Sequence, residues 1–308
     1  MTKNKTLKNE QIAGLFSHRP AKDLDWYKSL TAAGELAVTG QDQLLISLLS
    51  PTRLLDMTRY FTLFDKKAGK IVARYQQVFG IKRLIERINT RSSTGGREGG
   101  VIWHTTGSGK SFTMVFLSKA LILHQSLKQC RIVVVTDRVD LETQLSKTFA
   151  SGGELAGKKD KEAAMATSGK RLAEQIGKGT ERIIFSLIQK FNTATKMPEC
   201  VNHSSDIIVL IDEGHRSQGG ENHIRMKQAL PNAAFVAFTG TPLLKDDKTT
   251  NKFGPIVHAY TMQRAAEDQT VTPLLYEERI PDLDVNERAI DSWFERITER
   301  LSDEQKAD

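Results

Sequence analysis

The chain has 308 residues, enough for one large domain or two ordinary ones with a substantial buried core. A hydrophobic fraction of 39% and a charged fraction of 26% are typical of a soluble globular protein and exclude a mainly apolar membrane protein. The net charge of +7 permits an anionic partner such as nucleic acid without requiring one.

Cysteine usage and the apolar runs point to the cytoplasm. The two cysteines, Cys130 and Cys200, form neither a disulfide framework nor a metal-ligand cluster, which fits a reducing compartment. The N-terminus has no apolar run long enough for a signal peptide. No segment approaches about 18 consecutive apolar residues. We therefore expect a cytoplasmic protein with no membrane contact.

Residues 1–70 are predicted to be a mainly helical linker region. An apolar cluster at residues 44–49 is followed by Pro51, which interrupts it. From Ile71 to Ile88 the apolar residues recur near helical spacing, which predicts a helix over that segment. The run Ser92–Gly96 is rich in serine and glycine and predicts a flexible connector.

From Gly99 onward, short apolar runs rich in β-branched residues alternate with helical stretches. The predicted strands are Val101–Trp103, Arg131–Thr136, Arg182–Phe185, Ile207–Ile211 and Ala234–Phe238. The predicted helices are Phe112–Gln125, Asp140–Phe149, Lys170–Ile176 and Ile224–Leu230. This alternation predicts an α/β domain with a mostly parallel central sheet covered by helices on both faces. Ligands of such a domain lie at the carboxyl ends of the strands.

The first motif that carries chemistry follows the first predicted strand. Gly107 and Gly109 allow a tight turn in which consecutive backbone N–H groups point at phosphate oxygens. Lys110 adds a mobile positive charge, and Ser111 offers a hydroxyl to Mg²⁺. The helix that follows aims its positive end at the same anion. A strand, a glycine loop with Lys-Ser and a helix together predict a nucleotide site.

His104 departs from the usual phosphate-loop pattern, because it stands where the first glycine is expected. A side chain is tolerable at the junction of strand and loop if its φ stays negative. We interpret His104 as a polar residue that packs at the end of the strand, without a catalytic role.

The second motif is a buried strand that ends in Asp212 and Glu213. A parallel sheet places reactive groups at this end of its strands. The Asp212 carboxylate suits Mg²⁺, which prefers oxygen ligands and keeps several waters. Glu213 is suited to orient and deprotonate the water that attacks the γ-phosphate. The third motif, Thr239 and Thr241 around a glycine, could contact His215 or the phosphate site and report the nucleotide state.

In order and spacing, TGSGKS at 106–111, DEGH at 212–215 and TGTP at 239–242 resemble the motifs of superfamily 2 helicases and translocases. The wording is most similar to the motor (restriction, R) subunit of type I restriction-modification enzymes, and this resemblance covers residues 50–300. The phrases that carry it are ARYQQVFGIKRLIERI at 73–88, VIWHTTGSGKSFTM at 101–114, VVVTDRVDLETQL at 133–145, LIQKF at 187–191, LIDEGHRSQGG at 210–220, FTGTPL at 238–243 and VTPLLYEERI at 271–280.

The resemblance implies roles at matching positions. Arg74 and Gln77 match the glutamine motif, which recognises the adenine of ATP. The implied ATP- and Mg²⁺-binding residues of the three motifs are Thr106, Gly107, Ser108, Gly109, Lys110, Ser111, Asp212, Thr239 and Thr241. The implied catalytic residues are Lys110, Asp212, Glu213 and His215. Ser111 and Asp212 are the implied magnesium ligands.

The resemblance also implies partners. Asp137, Arg138, Ser186 and Gln189 lie where such motors touch the phosphate backbone of one DNA strand, and phosphate contacts are independent of sequence. Double-stranded DNA and the methylase and specificity subunits of a restriction-modification complex are the implied partners. The chain departs from the family's pattern at Leu187, where a hydroxyl is common, at Gly214, where alanine is usual, and at Gln269, which replaces a turn glycine.

The resemblance predicts that residues 71–280 form the first RecA-like domain of a P-loop NTPase. Residues 281–308 would begin a helical connector to a second RecA-like domain, whose arginines complete the ATP site. This sequence has no such arginine motif, and an arginine of this kind contributes several orders of magnitude to the rate. We therefore expect the 308-residue chain alone to bind ATP weakly and to hydrolyse it poorly.

The sequence thus predicts the ATP-dependent DNA-translocating motor module of a type I restriction subunit. Two alternatives stay open at this point. One is a different superfamily 2 DNA-dependent ATPase, such as a repair or remodelling motor. The other is a truncated, non-catalytic remnant that binds ATP or DNA.

Overall fold

The computed structural model describes residues 48–65, 69–137, 163–212, 220–242, 249–272 and 287–299, together with Asp25, Lys28, Val139, Glu142, Ser146, Lys147 and Phe149. The chain divides into two compact units, Met1–Thr272 and Pro273–Asp308. In the described part of the chain, no helix is long and apolar enough to cross a membrane.

A six-stranded sheet forms the centre of the first unit, and a two-stranded hairpin precedes it. The hairpin pairs β1 (Thr62–Asp65) antiparallel with β2 (Gly69–Val72). The strands of the large sheet are β3 (Gly100–His104), β4 (Arg131–Thr136), β5 (Ile183–Leu187), β6 (Ile207–Asp212), β7 (Ala234–Thr239) and β8 (Ile256–Tyr260). Their order is β5-β4-β6-β7-β3-β8, and every pair is parallel.

Helices cover this sheet, and one further helix lies in the second unit. The helices of the first unit are α1 (Pro51–Tyr60), α2 (Tyr75–Asn89), α3 (Lys110–Leu123), α4 (Gly169–Lys178), α5 (Ile188–Ala194), α6 (Gly220–Ala229), α7 (Thr249–Phe253) and α8 (Met262–Glu267), with a 3₁₀ turn at Pro198–Cys200. The second unit contains α9 (Glu287–Thr298).

Both faces of the large sheet are buried, as its apolar strands require. Along β6, Ile208 and Leu210 belong to one core cluster, while Val209 and Ile211 belong to the other. Successive side chains of a strand point to opposite faces, so a strand covered on both sides reads as a continuous apolar run. The predicted α/β fold with a mostly parallel central sheet is confirmed.

The five predicted strands are confirmed to within two residues at each end, and the helix predicted over Phe112–Gln125 is α3. The helix predicted over Asp140–Phe149 lies largely outside the described residues. The sequence analysis missed β8, a short apolar run that begins just after Gly254 and Pro255. It pairs with β3 and forms one edge of the large sheet.

The prediction of helix from Ile71 onward is wrong at its start. Ile71 lies in β2, where it pairs with Leu63 of β1, and α2 begins only at Tyr75. The hairpin crosses the boundary predicted between residues 70 and 71, so residues 62–65 are not helical either. Leu63 is 2% exposed, because one face of the hairpin packs on the core. The β-branched and apolar residues of the hairpin favour strands over helix.

Gln269, which stands where the family has a turn glycine, adopts a left-handed backbone with φ of 56°. It follows α8, where the N–H of Thr270 reaches back to the carbonyl of Ala265 at 2.8 Å and closes the helix end. A side chain with this backbone conformation costs about 1 to 2 kcal/mol. Gln269→Gly should therefore raise the free energy of unfolding by about 1 kcal/mol, measured by urea denaturation.

Gln263→Gly is the matched control for this prediction. Gln263 lies inside α8, where glycine costs about 1 kcal/mol, so this variant should lose stability. A loss of stability in Gln269→Gly as well would contradict the account of the helix end.

Candidate nucleotide-binding site

The phosphate loop connects β3 to α3, and its two glycines have the backbone that a phosphate cradle needs. Gly107 has φ of 82° and Gly109 has φ of 90°, both in the region that glycine adopts without strain. Gly109 is the N-cap of α3, so Lys110 and Ser111 lie in the first turn of a 14-residue helix. The first turn of a helix offers backbone N–H groups and the positive end of the helix dipole, which favour the binding of an anion.

Two side chains hold the loop in this shape. Ser108 is 1% exposed, and its hydroxyl donates to the carbonyl of Thr105 at 2.5 Å. The Nε2 of Gln77 donates to the carbonyl of Gly109 at 3.0 Å and to the Thr113 hydroxyl at 3.2 Å. The Oε1 of Gln77 accepts from the backbone N–H of Arg74 at 2.8 Å. Gln77 therefore links the start of α2 to the start of α3.

Asp212 is the last residue of β6, so it lies at the same carboxyl-terminal edge of the parallel sheet as the phosphate loop. β7 lies between β6 and β3, and the register pairs Asp212 with Phe238 and Thr239 with Trp103. Two strand spacings separate the strand ends by about 10 Å. The Asp212 side chain is 7% exposed.

The end of β7 and the residues after it lie between the phosphate loop and the end of β6. Thr239 is buried, and its hydroxyl accepts from the N–H of Thr241 at 3.1 Å, while Thr241 is exposed. The Trp103 indole donates to the carbonyl of Gly240 at 3.1 Å. A Cβ on Gly240 would lie 3.1 Å from the Thr106 hydroxyl, so the two backbones approach closely. The third motif thus packs directly against the phosphate loop.

His104 packs at the end of β3, as the sequence predicted. It is fully buried, its Nε2 lies 2.9 Å from the Nδ1 of His258 on β8, and its ring packs edge-on against Tyr260. Burial, together with the nearby charges of His258 and Lys110, lowers the pKa of His104 to about 3. Burial also lowers the pKa of His258 to about 4. Both rings are neutral at physiological pH, so neither adds a positive charge beside Lys110.

A cavity of about 220 Å³ opens beside the loop. Its walls come from β2, the start of α2, the loop and one side of α3: Ile71, Val72, Arg74, Gln77, Gly107, Ser108, Gly109, Phe112 and Phe116. A flat, partly apolar ring such as a purine fits a space with aliphatic and aromatic walls and a few polar groups. Arg74 and Gln77, the residues matched to adenine recognition, both line it.

A sequence profile of the SWI2/SNF2 ATPases matches residues 76–307, which is most of the chain. The chain belongs to the SWI2/SNF2 ATPase family. It therefore carries an ATPase motor module.

Among relatives of this SWI2/SNF2 ATPase is the type I restriction enzyme HindI endonuclease subunit of Haemophilus influenzae, 37% identical over 85% of this chain and 26% of that protein. The putative type I restriction enzyme MjaIXP endonuclease subunit of Methanocaldococcus jannaschii is 34% identical over 86% of this chain and 25% of that protein. The chain thus spans about a quarter of their length. The UvsW helicase of bacteriophage T4 has a TM-score of 0.46 at 17% identity, covering 75% of this chain and 76% of that chain.

The residues predicted to touch DNA are placed less favourably in this SWI2/SNF2 ATPase. β4 and β5 are neighbours, so Asp137 and Ser186 come to the same end of the sheet. Ser186, however, is fully buried and donates to the carbonyl of Leu187 at 3.0 Å, so a phosphate cannot reach it without opening the strand end. Gln189 is exposed, and Asp137 is half-buried. Arg138, like Glu213 and His215 of the second motif, lies outside the described residues.

Several residues around the site were missed by the sequence analysis. His258 and Tyr260 belong to the missed strand β8, and Val72 to the missed hairpin. The signal for β8 was a run of five residues, four of them apolar, directly after a glycine and a proline. Nothing in the local sequence indicates that Val271, far along the chain, lies beside Gly107.

Proposed function

We propose that this chain is the ATP-binding motor module of a type I restriction endonuclease subunit, which couples ATP hydrolysis to translocation of duplex DNA in a complex with methylase and specificity subunits. The observation that carries the proposal is that three motifs lie at the carboxyl ends of neighbouring parallel strands. The phosphate loop follows β3, Asp212 ends β6, and Thr239 ends β7 between them. The names of the relatives support the restriction setting.

Each residue of the loop has a task that follows from its position. The loop N–H groups and the first turn of α3 bind the phosphates, and Lys110 adds a positive charge to the outer ones. Arg74 and Gln77 bind the base in the neighbouring cavity. Glu213 orients the attacking water. His215, Thr239 and Thr241 relate the nucleotide state to DNA bound near Asp137, Arg138 and Gln189, with contact at Ser186 requiring the end of β5 to open.

The residues present fit a magnesium ion. Ser111 and Asp212 offer the oxygen donors that Mg²⁺ prefers, and Mg²⁺ is usually bound by one or two carboxylates together with substrate phosphates and waters. In the described part of the chain no group of three or more His, Cys, Asp or Glu residues could hold a metal ion. When bound, the ion would neutralise charge on the phosphate oxygens.

Nucleotide binding to the 308-residue chain tests the proposal. Titration calorimetry with ATP and Mg²⁺ should give saturable binding at one site, and Lys110→Ala should weaken it by about tenfold or more, because it removes a charge from the phosphates. Lys178→Ala, at an exposed lysine in the last turn of α4, is the matched control and should bind as the unaltered chain does. Equal affinity in Lys110→Ala and Lys178→Ala would refute the site.

Coupling to DNA is tested in the complete restriction complex. Asp212→Asn keeps the shape of the side chain and removes its charge, so it should abolish DNA-stimulated ATP hydrolysis and translocation while the complex still assembles. A complex with Asp212→Asn that still translocates DNA at the normal rate would refute the assignment of the second motif.

A further inference from the structure

The segment Asp268–Val271 lies just before Thr272, where the first unit ends, and it is tied to the start of α2. The hydroxyl of Tyr75, the first residue of α2, donates to the Oδ2 of Asp268 in a short hydrogen bond. The Tyr260 hydroxyl donates to the same oxygen at 3.0 Å. Arg264 completes the network, because its Nε–H donates to the Tyr75 hydroxyl at 3.2 Å.

This network gives Tyr75 a fixed role as donor. Burial and the hydrogen bond to Asp268 raise the pKa of Tyr75 to about 12, so the phenol keeps its proton at physiological pH. The rings of Tyr75 and Tyr260 also pack edge-to-face, with centroids 6.0 Å apart. The carboxylate of Asp268 is therefore held by two hydroxyl groups from two different elements, α2 and β8.

The other end of the segment lies beside the phosphate loop. A Cβ built on Gly107 would lie 3.4 Å from the Cγ1 of Val271, an ordinary van der Waals distance. The N–H of Val271 donates to the carbonyl of Ala265 at 3.3 Å, so the backbone of the segment is anchored to α8. Val271 therefore stands beside the outer glycine of the cradle on a backbone that the Asp268 network fixes.

These contacts close a ring around the cradle. Gln77 lies two residues after Tyr75 in α2, and its Nε2 donates to the carbonyl of Gly109. Val271 lies beside Gly107. The Tyr75–Asp268 hydrogen bond joins α2, which carries Gln77, to the segment that carries Val271. Both loop glycines, each with a positive φ, are therefore flanked by residues of one hydrogen-bonded network. A phosphate cradle built mainly of backbone has few side chains of its own to fix it, which makes such outside support effective.

We propose that Tyr75 and Asp268 are positioning residues of the ATP site, which keep Val271 packed against Gly107 and so hold the phosphate loop in its binding shape. This inference rests on the proposed function, because the loop shape matters only if a nucleotide binds there. None of the three motifs read from the sequence includes Tyr75, Asp268 or Val271.

The link from Tyr75 through Asp268 to Val271 is called the brace below. Hydrogen exchange of the ligand-free 308-residue chain tests it directly. Tyr75→Phe and Asp268→Asn should each speed amide exchange in the peptide that covers residues 104–110 by about fivefold, the factor that one net hydrogen bond contributes. Val271→Ala should do the same from the other end. The double variant Tyr75→Phe/Asp268→Asn should speed exchange by less than the product of the two single effects, because the Tyr75–Asp268 hydrogen bond is affected in both.

Tyr60→Phe is the matched control, since it removes a tyrosine hydroxyl from α1, away from the loop. It should leave the exchange of residues 104–110 unchanged. ATP affinity is measured on the same variants and should fall by about fivefold in Tyr75→Phe and Asp268→Asn, with the thermal midpoint as a check on folding.

The outcomes separate the two ideas. Unchanged loop exchange in Tyr75→Phe, Asp268→Asn and Val271→Ala would overturn the brace, whatever ATP does. Faster loop exchange in these variants supports the brace as a physical link. Absence of ATP binding in the unaltered chain would instead count against the proposed function.

Discussion

Gly109→Ala is expected to weaken ATP binding by at least about tenfold. Gly109 has φ of 90°, where a side chain costs about 1 to 2 kcal/mol, and its new Cβ would lie 3.1 Å from the Nε2 of Gln77. Gln77 cannot move away without losing its bonds to Gly109 and Thr113. The substitution therefore distorts both the cradle and its support. Calorimetric titration with ATP and Mg²⁺ measures the change.

Gly95→Ala separates backbone strain from damage to the site. Gly95 has φ of 84°, nearly the same conformation as Gly109, but no atom lies within 4 Å of its Cβ position. It lies in the turn between α2 and β3, where its N–H donates to the carbonyl of Ser92. This variant should lose about 1 kcal/mol of folding stability and bind ATP normally. If Gly95→Ala weakened ATP binding as much as Gly109→Ala, the effect would be general strain.

Acid is expected to destabilise the first unit through His104 and His258. Their pKa values in the folded protein, about 3 and about 4, are depressed from the ordinary value of 6.5. Below pH 6.5 the two histidines therefore bind protons in the unfolded chain but stay neutral in the folded chain. The stability contribution is fully present above pH 6.5 and is lost as the pH falls from 6.5 towards 4 and then 3. The slope should reach about 1.4 kcal/mol per pH unit for each histidine.

Urea denaturation at a series of pH values between 7 and 4 measures this slope. His258→Asn should reduce the slope, because one of the two buried rings no longer titrates. His203→Asn is the matched control, since His203 is exposed and lies outside the strands. An equal slope in the unaltered chain and in His258→Asn would contradict the role assigned to the pair.

The phosphate loop and the large sheet could be predicted because their signals are local. Gly107, Gly109 and Lys110 occur within four positions, between a β-branched run and a helical stretch, and the strands of a doubly covered sheet are continuous apolar runs. The same property explains the burial of Ser186. This residue lies in such a strand and is buried with its neighbours, and the DNA contact that the resemblance implies there stays a prediction.

What could not be predicted depends on contacts between distant parts of the chain. His104 and His258 are 154 positions apart, and Tyr75 and Asp268 are 193 apart. Periodicity indicates which face of an element is buried, but it does not identify the element that covers it. The hairpin was missed for a related reason: each of its strands has four residues, too short for alternation to stand out against a helical pattern.

The hairpin limits how far the protein can be shortened from its N-terminus. The Lys119 ammonium of α3 donates to the carbonyl of Thr62 at 2.7 Å, and the N–H of Ala73 donates to the carbonyl of Phe61 at 2.9 Å. A version trimmed to begin at Ile71 would leave β2, whose Ile71 and Val72 line the cavity beside the loop, without its antiparallel neighbour. Recombinant versions intended for ligand soaking should therefore start upstream of Pro51, so that α1 and the whole hairpin are retained.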